Sequence, residues 1–187
     1  SFINPIMEQE IIAVAYKIEN EPGYTDDLIY GEFISELVNN SKTRGVLKLV
    51  KPRDRRPFYG LAWNLKMKNV YQISSQLGDI RNLDLDIFLK KSDGTESNTI
   101  NNVRLLELFG FDRYSENGTP GPDGKYDYSP GMNFEPITSE IIFPVIQPFG
   151  NNIPFVLNEY KYQAIYDTMK TFLSMPGNSF IIRGKYK

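Results

Sequence analysis

The amino-acid sequence predicts a β-rich α+β fold, built on an antiparallel sheet or β-sandwich with two or three short helices. Two observations support this prediction. Apolar and polar residues alternate in several stretches, most clearly from Leu83 to Leu89, as in strands with one buried face. Helical periodicity is confined to short stretches, and glycine and proline interrupt the chain between them. With 187 residues, of which 41% are hydrophobic, the chain can form one sizeable core.

The first third of the chain predicts short strands and a hairpin. Alternation predicts a strand from Glu10 to Ile18, followed by a turn and a returning strand from Leu28 to Ile34. Val46–Val50 is predicted as a further strand. Leu61–Tyr71 fits both a strand and a helix, and in either case its Trp63 is expected in the core.

The rest of the chain gives clearer signals. We expect strands at Leu83–Leu89, Glu140–Ile146 and Phe180–Lys187, helices at Val103–Phe109 and Glu159–Leu173, and a hairpin turn at Ser92–Thr95. Pro144 indicates an edge position or a bulge in the second of these strands. We expect one globular segment over residues 1–187, with a β-rich body in 1–150 and a helix plus a terminal strand in 151–187.

Composition excludes several classes of function. The chain has no histidine and no cysteine, so it lacks the usual catalytic triads, thiol nucleophiles and zinc ligands. We therefore expect no enzymatic activity and assign no catalytic or cofactor-binding residue, although an enzyme built on two carboxylates stays as an alternative. Asp84 and Asp86 are interpreted as solubilising residues on an exposed strand face rather than as such a pair. The net charge of −2 gives no general attraction to nucleic acid.

A basic run extends from Ser41 to Arg56. One interpretation is a site for phosphate groups of lipid or nucleic acid. The other, which we favour, is a solvated strand edge, because Asp54 interrupts the run and no aromatic residue interleaves with it. The run holds seven of the 21 basic residues: Lys42, Arg44, Lys48, Lys51, Arg53, Arg55 and Arg56.

The stretch from Phe111 to Gly131 is a loop rich in glycine and proline, which no helix or central strand can traverse. Oxygen ligands spaced through such a loop suit a calcium ion. The alternative is a metal-free cluster of turns, because Asp and Asn before Gly are ordinary turn formers and the EF-hand pattern is incomplete. The candidate calcium ligands are Asp112, Asn117, Asp123 and Asp127.

No run of about 18 apolar residues is present, so we expect no membrane-spanning helix. The chain opens without methionine and ends within a predicted strand. We therefore expect it to be a piece of a longer protein.

Six blocks of the sequence follow one another in order along nearly the whole chain: Ile12–Tyr16, Tyr30–Phe33, Trp63–Tyr71, Leu85–Leu89, Asp123–Tyr128 and Ile141–Gly150. Together they resemble a repeated block of the SprA family. SprA, called Sov in Porphyromonas, is a very large outer-membrane protein of gliding motility and type IX secretion in Bacteroidota.

The resemblance implies a non-catalytic structural or interaction domain outside the wall of a β-barrel translocon. It implies a location associated with the outer membrane, on the cell surface or the periplasmic face. The partners it implies are other secretion-system proteins, including the small barrel PorV, and the exported cargo. The alternative is a carbohydrate- or ligand-binding β-sandwich at the cell surface, which predicts exposed tyrosines grouped on one face. Its candidates are Tyr24, Tyr30, Tyr126 and Tyr128.

Overall fold

The computed structural model describes residues 9–41, 44–73, 83–174 and 176–186. The predicted β-rich α+β class is confirmed: the strands pair antiparallel in small sheets of two or three strands, joined by short helices. The chain divides into two compact units, Ser1–Lys66 (unit 1) and Met67–Lys187 (unit 2). The expectation of one globular segment stays a prediction. Lys42 of the basic run and Lys187 of the last strand lie outside the described residues.

The described residues of unit 1 form two short strand pairs and two short helices. Its elements are β1 (Ile12–Val14), β2 (Tyr16–Ile18), β3 (Leu28–Tyr30), α1 (Ile34–Asn39), β4 (Lys48–Lys51) and α2 (Gly60–Asn64). β1 pairs with β4, and β2 pairs with β3. The predicted strand Glu10–Ile18 is therefore split at Ala15, because its two halves have different partners. The predicted hairpin is confirmed, with Tyr16 opposite Tyr30, but Ile34 begins α1 instead of ending the strand.

Unit 1 has little core of its own. Trp63, in α2, is confirmed as a buried residue at 8% exposure, and among the described residues of unit 1 it is the only buried large hydrophobic side chain. Both predictions for Leu61–Tyr71 are partly right, since its start is helical and its end, Val70 onwards, is a strand of unit 2.

Unit 2 carries the main core. Its strands are β5 (Val70–Gln72), β6 (Leu83–Lys90), β7 (Glu96–Ser97), β8 (Thr99–Ile100), β9 (Val103–Arg104), β10 (Phe134–Glu135), β11 (Glu140–Ile142) and β12 (Ser179–Tyr186). Its helices are α3 (Leu105–Leu108) and α4 (Ala164–Asp167), with 3-10 turns at Phe155–Tyr160 and Lys170–Phe172. The strand orders of its sheets are β10-β11-β5, β12-β6-β7 and β8-β9.

The strand prediction at Leu83–Leu89 is confirmed in full. Along β6 every second residue is buried, beginning with Leu83, while Asp84 faces solvent. β12 pairs antiparallel with β6 over its whole length, which confirms the predicted terminal strand. The turn to β7 also forms as predicted, because Asp93 Oδ1 accepts the Thr95 N–H at 2.8 Å.

Aromatic side chains fill the centre of unit 2. Phe143, which is fully buried, makes edge-to-face contacts with Tyr71, Phe109, Phe111 and Phe149 at centroid distances of 4.8–5.6 Å. Such contacts add to the free energy gained by burial. This cluster places the start of the 111–131 loop inside the core, because Phe111 itself is buried.

The single helix predicted over Glu159–Leu173 is wrong. The segment forms a 3-10 turn up to Tyr160, the four-residue α4 and a second 3-10 turn. Lys161 and Thr168 adopt extended backbone angles between these pieces. The Tyr162 N–H donates to the Phe149 carbonyl at 2.8 Å instead of to a carbonyl one helical turn earlier, so tertiary contacts override the helical pattern.

Pro144 does not mark an edge strand. The strand β11 ends at Ile142 and lies between β10 and β5, so it is the central strand of its sheet. Pro144 follows the strand and needs no ladder hydrogen bond.

Candidate functional site

The 111–131 loop leaves the core directly from the end of α3. The helix predicted at Val103–Phe109 is confirmed from Leu105 onwards, with Gly110 just beyond its end in the left-handed region at φ +78°. The Phe111 N–H donates to the Leu106 carbonyl at 2.8 Å and fixes the direction in which the loop departs. Asp112, the next residue, is only 2% exposed.

The buried Asp112 carboxylate holds two parts of the loop together. Its Oδ1 accepts the Asp123 N–H and its Oδ2 accepts the Gly124 N–H, both at 2.9 Å. Hydrogen bonds to a charged acceptor are stronger than those between neutral groups. A buried charge of this kind is tolerated because backbone donors satisfy it.

Asp127 and Asp123 act in the same way. The Asp127 Oδ2 accepts the N–H groups of Arg113 at 2.6 Å and Tyr114 at 3.1 Å. The Asp123 Oδ2 accepts the Glu116 N–H at 2.9 Å, and its Oδ1 accepts the Lys125 N–H at 3.0 Å. The loop is therefore closed by three carboxylates that each accept two backbone amides.

Three of the four candidate calcium ligands belong to this network. Asn117, the fourth, is exposed in a turn where the Gly118 N–H donates to the Ser115 carbonyl at 2.8 Å. Within the described parts of the chain, no group of three acidic or other ligating side chains is placed to hold a metal ion. The calcium site stays a prediction, and the metal-free cluster of turns accounts for the observed hydrogen bonds of the carboxylates.

Asn133 stabilises the far end of the loop, a role that the sequence did not reveal. Its Nδ2 donates to the Asp127 carbonyl at 2.5 Å, and its Oδ1 accepts the Ser129 N–H at 2.8 Å. The Tyr126 hydroxyl also donates to the Asn133 Oδ1 at 3.1 Å. An asparagine next to a glycine-rich loop is a weak signal by itself, because asparagine is common in turns of every kind.

A cleft of about 730 Å³ lies beside the loop, on the outer face of β6 and β12. In it, Arg104 Nη2 donates to Asp86 Oδ2 at 2.8 Å, and Asn98 Nδ2 donates to the same oxygen at 2.7 Å. The interpretation of Asp86 as a plain solubilising residue is wrong, because the carboxylate is half-buried and anchors Arg104. Gly124 of the loop packs close to this pair, since a Cβ there would lie 3.2 Å from Arg104 Nη1, and its φ of +85° also favours glycine.

Two further cations of the cleft make structural contacts. Arg183 pairs with Glu96 at 2.6 Å and lies over the Phe88 ring, 4.7 Å from its centroid. Lys125 pairs with Glu116. Three of the four cations that line the cleft thus have acidic partners, and the fourth, Lys185, is exposed to solvent.

Unit 1 contains a more apolar depression, here called the unit 1 groove, with a volume of about 600 Å³. Tyr16 and Tyr30 stack at one side of it with their centroids 4.9 Å apart. Lys48 Nζ lies 5.6 Å from the Tyr30 centroid, within cation–π range. The other lining residues come from β1, β4 and the region of α2: Val14, Leu49, Val50, Tyr59, Gly60, Leu61, Ala62 and Leu65.

One cation of the basic run, Lys48, lines this groove. Lys48 lies within β4, which pairs with β1, so the favoured interpretation as a strand edge describes that part of the run. The run ends at Arg56, three residues before Tyr59, which also lines the groove, and its Arg53 and Arg55 are exposed. No aromatic residue interleaves with the run in the sequence, yet folding brings Tyr16 and Tyr30 beside Lys48 from earlier strands.

The exposed apolar side chains concentrate in unit 1. Of the 21 large hydrophobic side chains left exposed in the described residues, 13 belong to it, although it is the smaller unit. Around the groove these include Leu61 at 87% exposure, Leu65 and the neighbouring Phe58. Exposed apolar side chains grouped in and beside a groove are typical of a site of interaction.

The tyrosines named for carbohydrate binding are not equivalent. Tyr24 is exposed, but Tyr126 is buried in the core of unit 2, and Tyr128 packs against that core. Tyr126 therefore contributes a core contact and a hydrogen bond to Asn133 rather than a surface for stacking sugars.

Comparison with protein-family models finds no match to this chain, and comparison with curated proteins finds none either. In the part of the chain that the structure describes, no helix has the length and apolar character needed to span a membrane, as the sequence predicts.

Proposed function

We propose that the chain is a non-catalytic structural and interaction segment of a SprA-like type IX secretion translocon. In this role it supports protein export across the outer membrane and gliding motility. It resides outside the barrel wall, on the cell-surface or periplasmic side of the outer membrane. The support from the sequence is the ordered series of blocks that resemble the SprA family.

The observation that carries the interaction role is the uncovered apolar surface of unit 1. A unit of 66 residues with a buried tryptophan and many exposed aliphatic and aromatic side chains gains stability when a partner covers them. In a large assembly, neighbouring segments or the barrel provide that cover.

The carboxylates of unit 2 support a structural rather than a catalytic use. Asp112, Asp123 and Asp127 each accept two backbone amides, and Asp86 is paired with Arg104. The carboxylates of the loop close it on itself through these partners and so stabilise the shape of unit 2.

Affinity capture tests the proposal. The 187-residue chain, immobilised and exposed to detergent extracts of outer membranes from a gliding Bacteroidota bacterium, is expected to retain the SprA-like barrel protein and its PorV-like partner. Mass spectrometry identifies the retained proteins. Retention should fall in Leu61→Asp and persist in Ile137→Asp, a matched change at a residue of unit 2 that is 91% exposed. Extracts from which neither barrel protein is retained would overturn the proposal.

A further inference from the structure

We infer that the unit 1 groove binds an acidic peptide segment that carries aromatic or aliphatic anchor residues. The inference rests on the proposed interaction role and specifies the chemistry of the partner. Two features of the groove, its apolar lining and its basic border, point to the same occupant.

The apolar lining provides room for anchor side chains. The stacked rings of Tyr16 and Tyr30 form one side of the groove, and Leu61 and Leu65 come from the α2 region. A volume of about 600 Å³ accommodates a few large side chains. Burial of a Leu or Phe anchor in such a site favours binding, against the cost of ordering the peptide.

The charges around the groove specify an acidic partner. From Lys48 to Phe58 the described chain has five basic residues and one acidic residue, Asp54. Lys48 lies in the groove itself, and Arg53 and Arg55 are exposed on the connection that joins β4 to α2. Carboxylates that flank an apolar anchor would meet these cations, which steers association and fixes the register of the bound segment.

The shape of the site favours a peptide over an anionic membrane. A membrane surface binds convex elements whose apolar side chains insert between lipids. Here the tyrosines and Val14 lie in a depression, which a bilayer cannot enter but a chain with protruding side chains can. Tyrosine and arginine are also the residue types that dominate the energetics of protein interfaces.

Fluorescence anisotropy with a labelled synthetic peptide tests the inference. The peptide has one Phe and one Leu flanked by Asp and Glu, and its control carries Lys in place of the acids. We expect the acidic peptide to bind the 187-residue chain, with an affinity that falls as salt is added. The Lys peptide should not bind.

Substitutions then locate the site. Leu61→Asp is expected to weaken binding by at least about tenfold, and Arg53→Glu to weaken it by a smaller factor that disappears at high salt. Ile137→Asp should leave the affinity unchanged. Both Leu61 and Ile137 are almost fully exposed, so neither change disturbs folding, which melting temperatures can verify.

A parallel assay measures sedimentation of the chain with vesicles of anionic lipid. Three outcomes would overturn the inference: the acidic and Lys peptides bind equally, Leu61→Asp binds the acidic peptide as tightly as the parent chain does, or the chain binds the vesicles but not the peptide. The third outcome assigns the surface to the membrane. If the acidic peptide does not bind but the barrel proteins are still captured, only the inference is rejected. Peptide binding without capture of those proteins rejects the proposed translocon role instead.

Discussion

The two units of the chain use similar residues in opposite ways. Unit 2 buries its aromatic residues around Phe143 and satisfies its loop carboxylates with backbone amides. Unit 1 stacks Tyr16 on Tyr30 at a surface groove and leaves Phe58 and Leu61 exposed. Because burial of apolar surface is the main favourable contribution to folding, the difference identifies unit 2 as the source of stability. Unit 1, with its exposed apolar side chains, is then the part that can bind a partner.

Replacing a phenylalanine by alanine in each unit should give the largest difference in the free energy of unfolding. Phe143→Ala empties a fully buried site and should lower the free energy of unfolding by about 3–5 kcal/mol. Phe58→Ala removes a ring that is 89% exposed, and the change should stay within about 0.5 kcal/mol. Urea unfolding of the parent and both variants measures the two values.

If Phe58→Ala were as damaging as Phe143→Ala, unit 1 would have a core that its exposed surface does not reveal, and the comparison would fail. The Phe58 ring makes an edge-to-face contact with Tyr59, which lines the unit 1 groove. Loss of the Phe58 ring should be visible in peptide binding rather than in stability, because the ring contacts a groove residue but is itself exposed.

A second comparison between the units concerns the replacement of an aspartate by alanine. Asp112→Ala leaves the amides of Asp123 and Gly124 inside the structure without their acceptor and should cost about 2–4 kcal/mol. Asp54→Ala in the basic run of unit 1 removes an exposed group, 3.7 Å from Arg56, and should cost less than about 0.5 kcal/mol. Thermal melting and hydrogen exchange of residues 111–131 measure the effects.

Calcium titration distinguishes the two interpretations of the 111–131 loop, a cation site and a metal-free cluster of turns. If the carboxylates serve only as acceptors of backbone amides, the melting temperature should be the same with and without millimolar calcium. A rise that is abolished in Asp123→Ala but retained in Asp54→Ala would establish a cation site.

Sequence reasoning succeeded where one strong local pattern decides the structure. The alternation from Leu83 to Leu89 needs a single buried face, and the turn at Asp93 needs only its own neighbours. The helix predicted from Glu159 to Leu173 failed because its outcome depends on a distant group, the Phe149 carbonyl that accepts the Tyr162 N–H. The periodicity of the segment itself does not show that a carbonyl elsewhere in the chain will accept one of its N–H groups.

The candidate sites show the same limit. The 111–131 loop was identified from composition, but the acceptor role of Asp112 depends on amides 11 and 12 residues away. The unit 1 groove was not predicted at all, because β1, β2, β3, β4 and the α2 region each contribute only a few of its residues. None of those segments has a motif of its own, and their juxtaposition follows from strand pairing.

Alkaline pH should destabilise unit 2 gradually, through its buried tyrosines. Burial raises the pKa of Tyr71 above its usual range, and the hydrogen bond to Tyr166 raises it further. Burial likewise raises the pKa of Tyr126. Because these pKa values are higher in the folded state than in the unfolded state, the stabilising contribution is complete below about pH 10 and declines as the pH rises beyond it.

The loss should not exceed about 1.4 kcal/mol per tyrosine for each pH unit above about 10. Melting temperatures of the parent chain between neutral and alkaline pH measure it, with hydrogen exchange reporting each unit separately. Tyr71→Phe removes one of the raised groups, so its stability should start lower, through loss of the 2.6 Å hydroxyl contact with Tyr166, and then decline less steeply above pH 10. An equally steep decline in Tyr71→Phe would show that the alkaline sensitivity comes from other groups, and the tyrosine pair would then contribute packing alone.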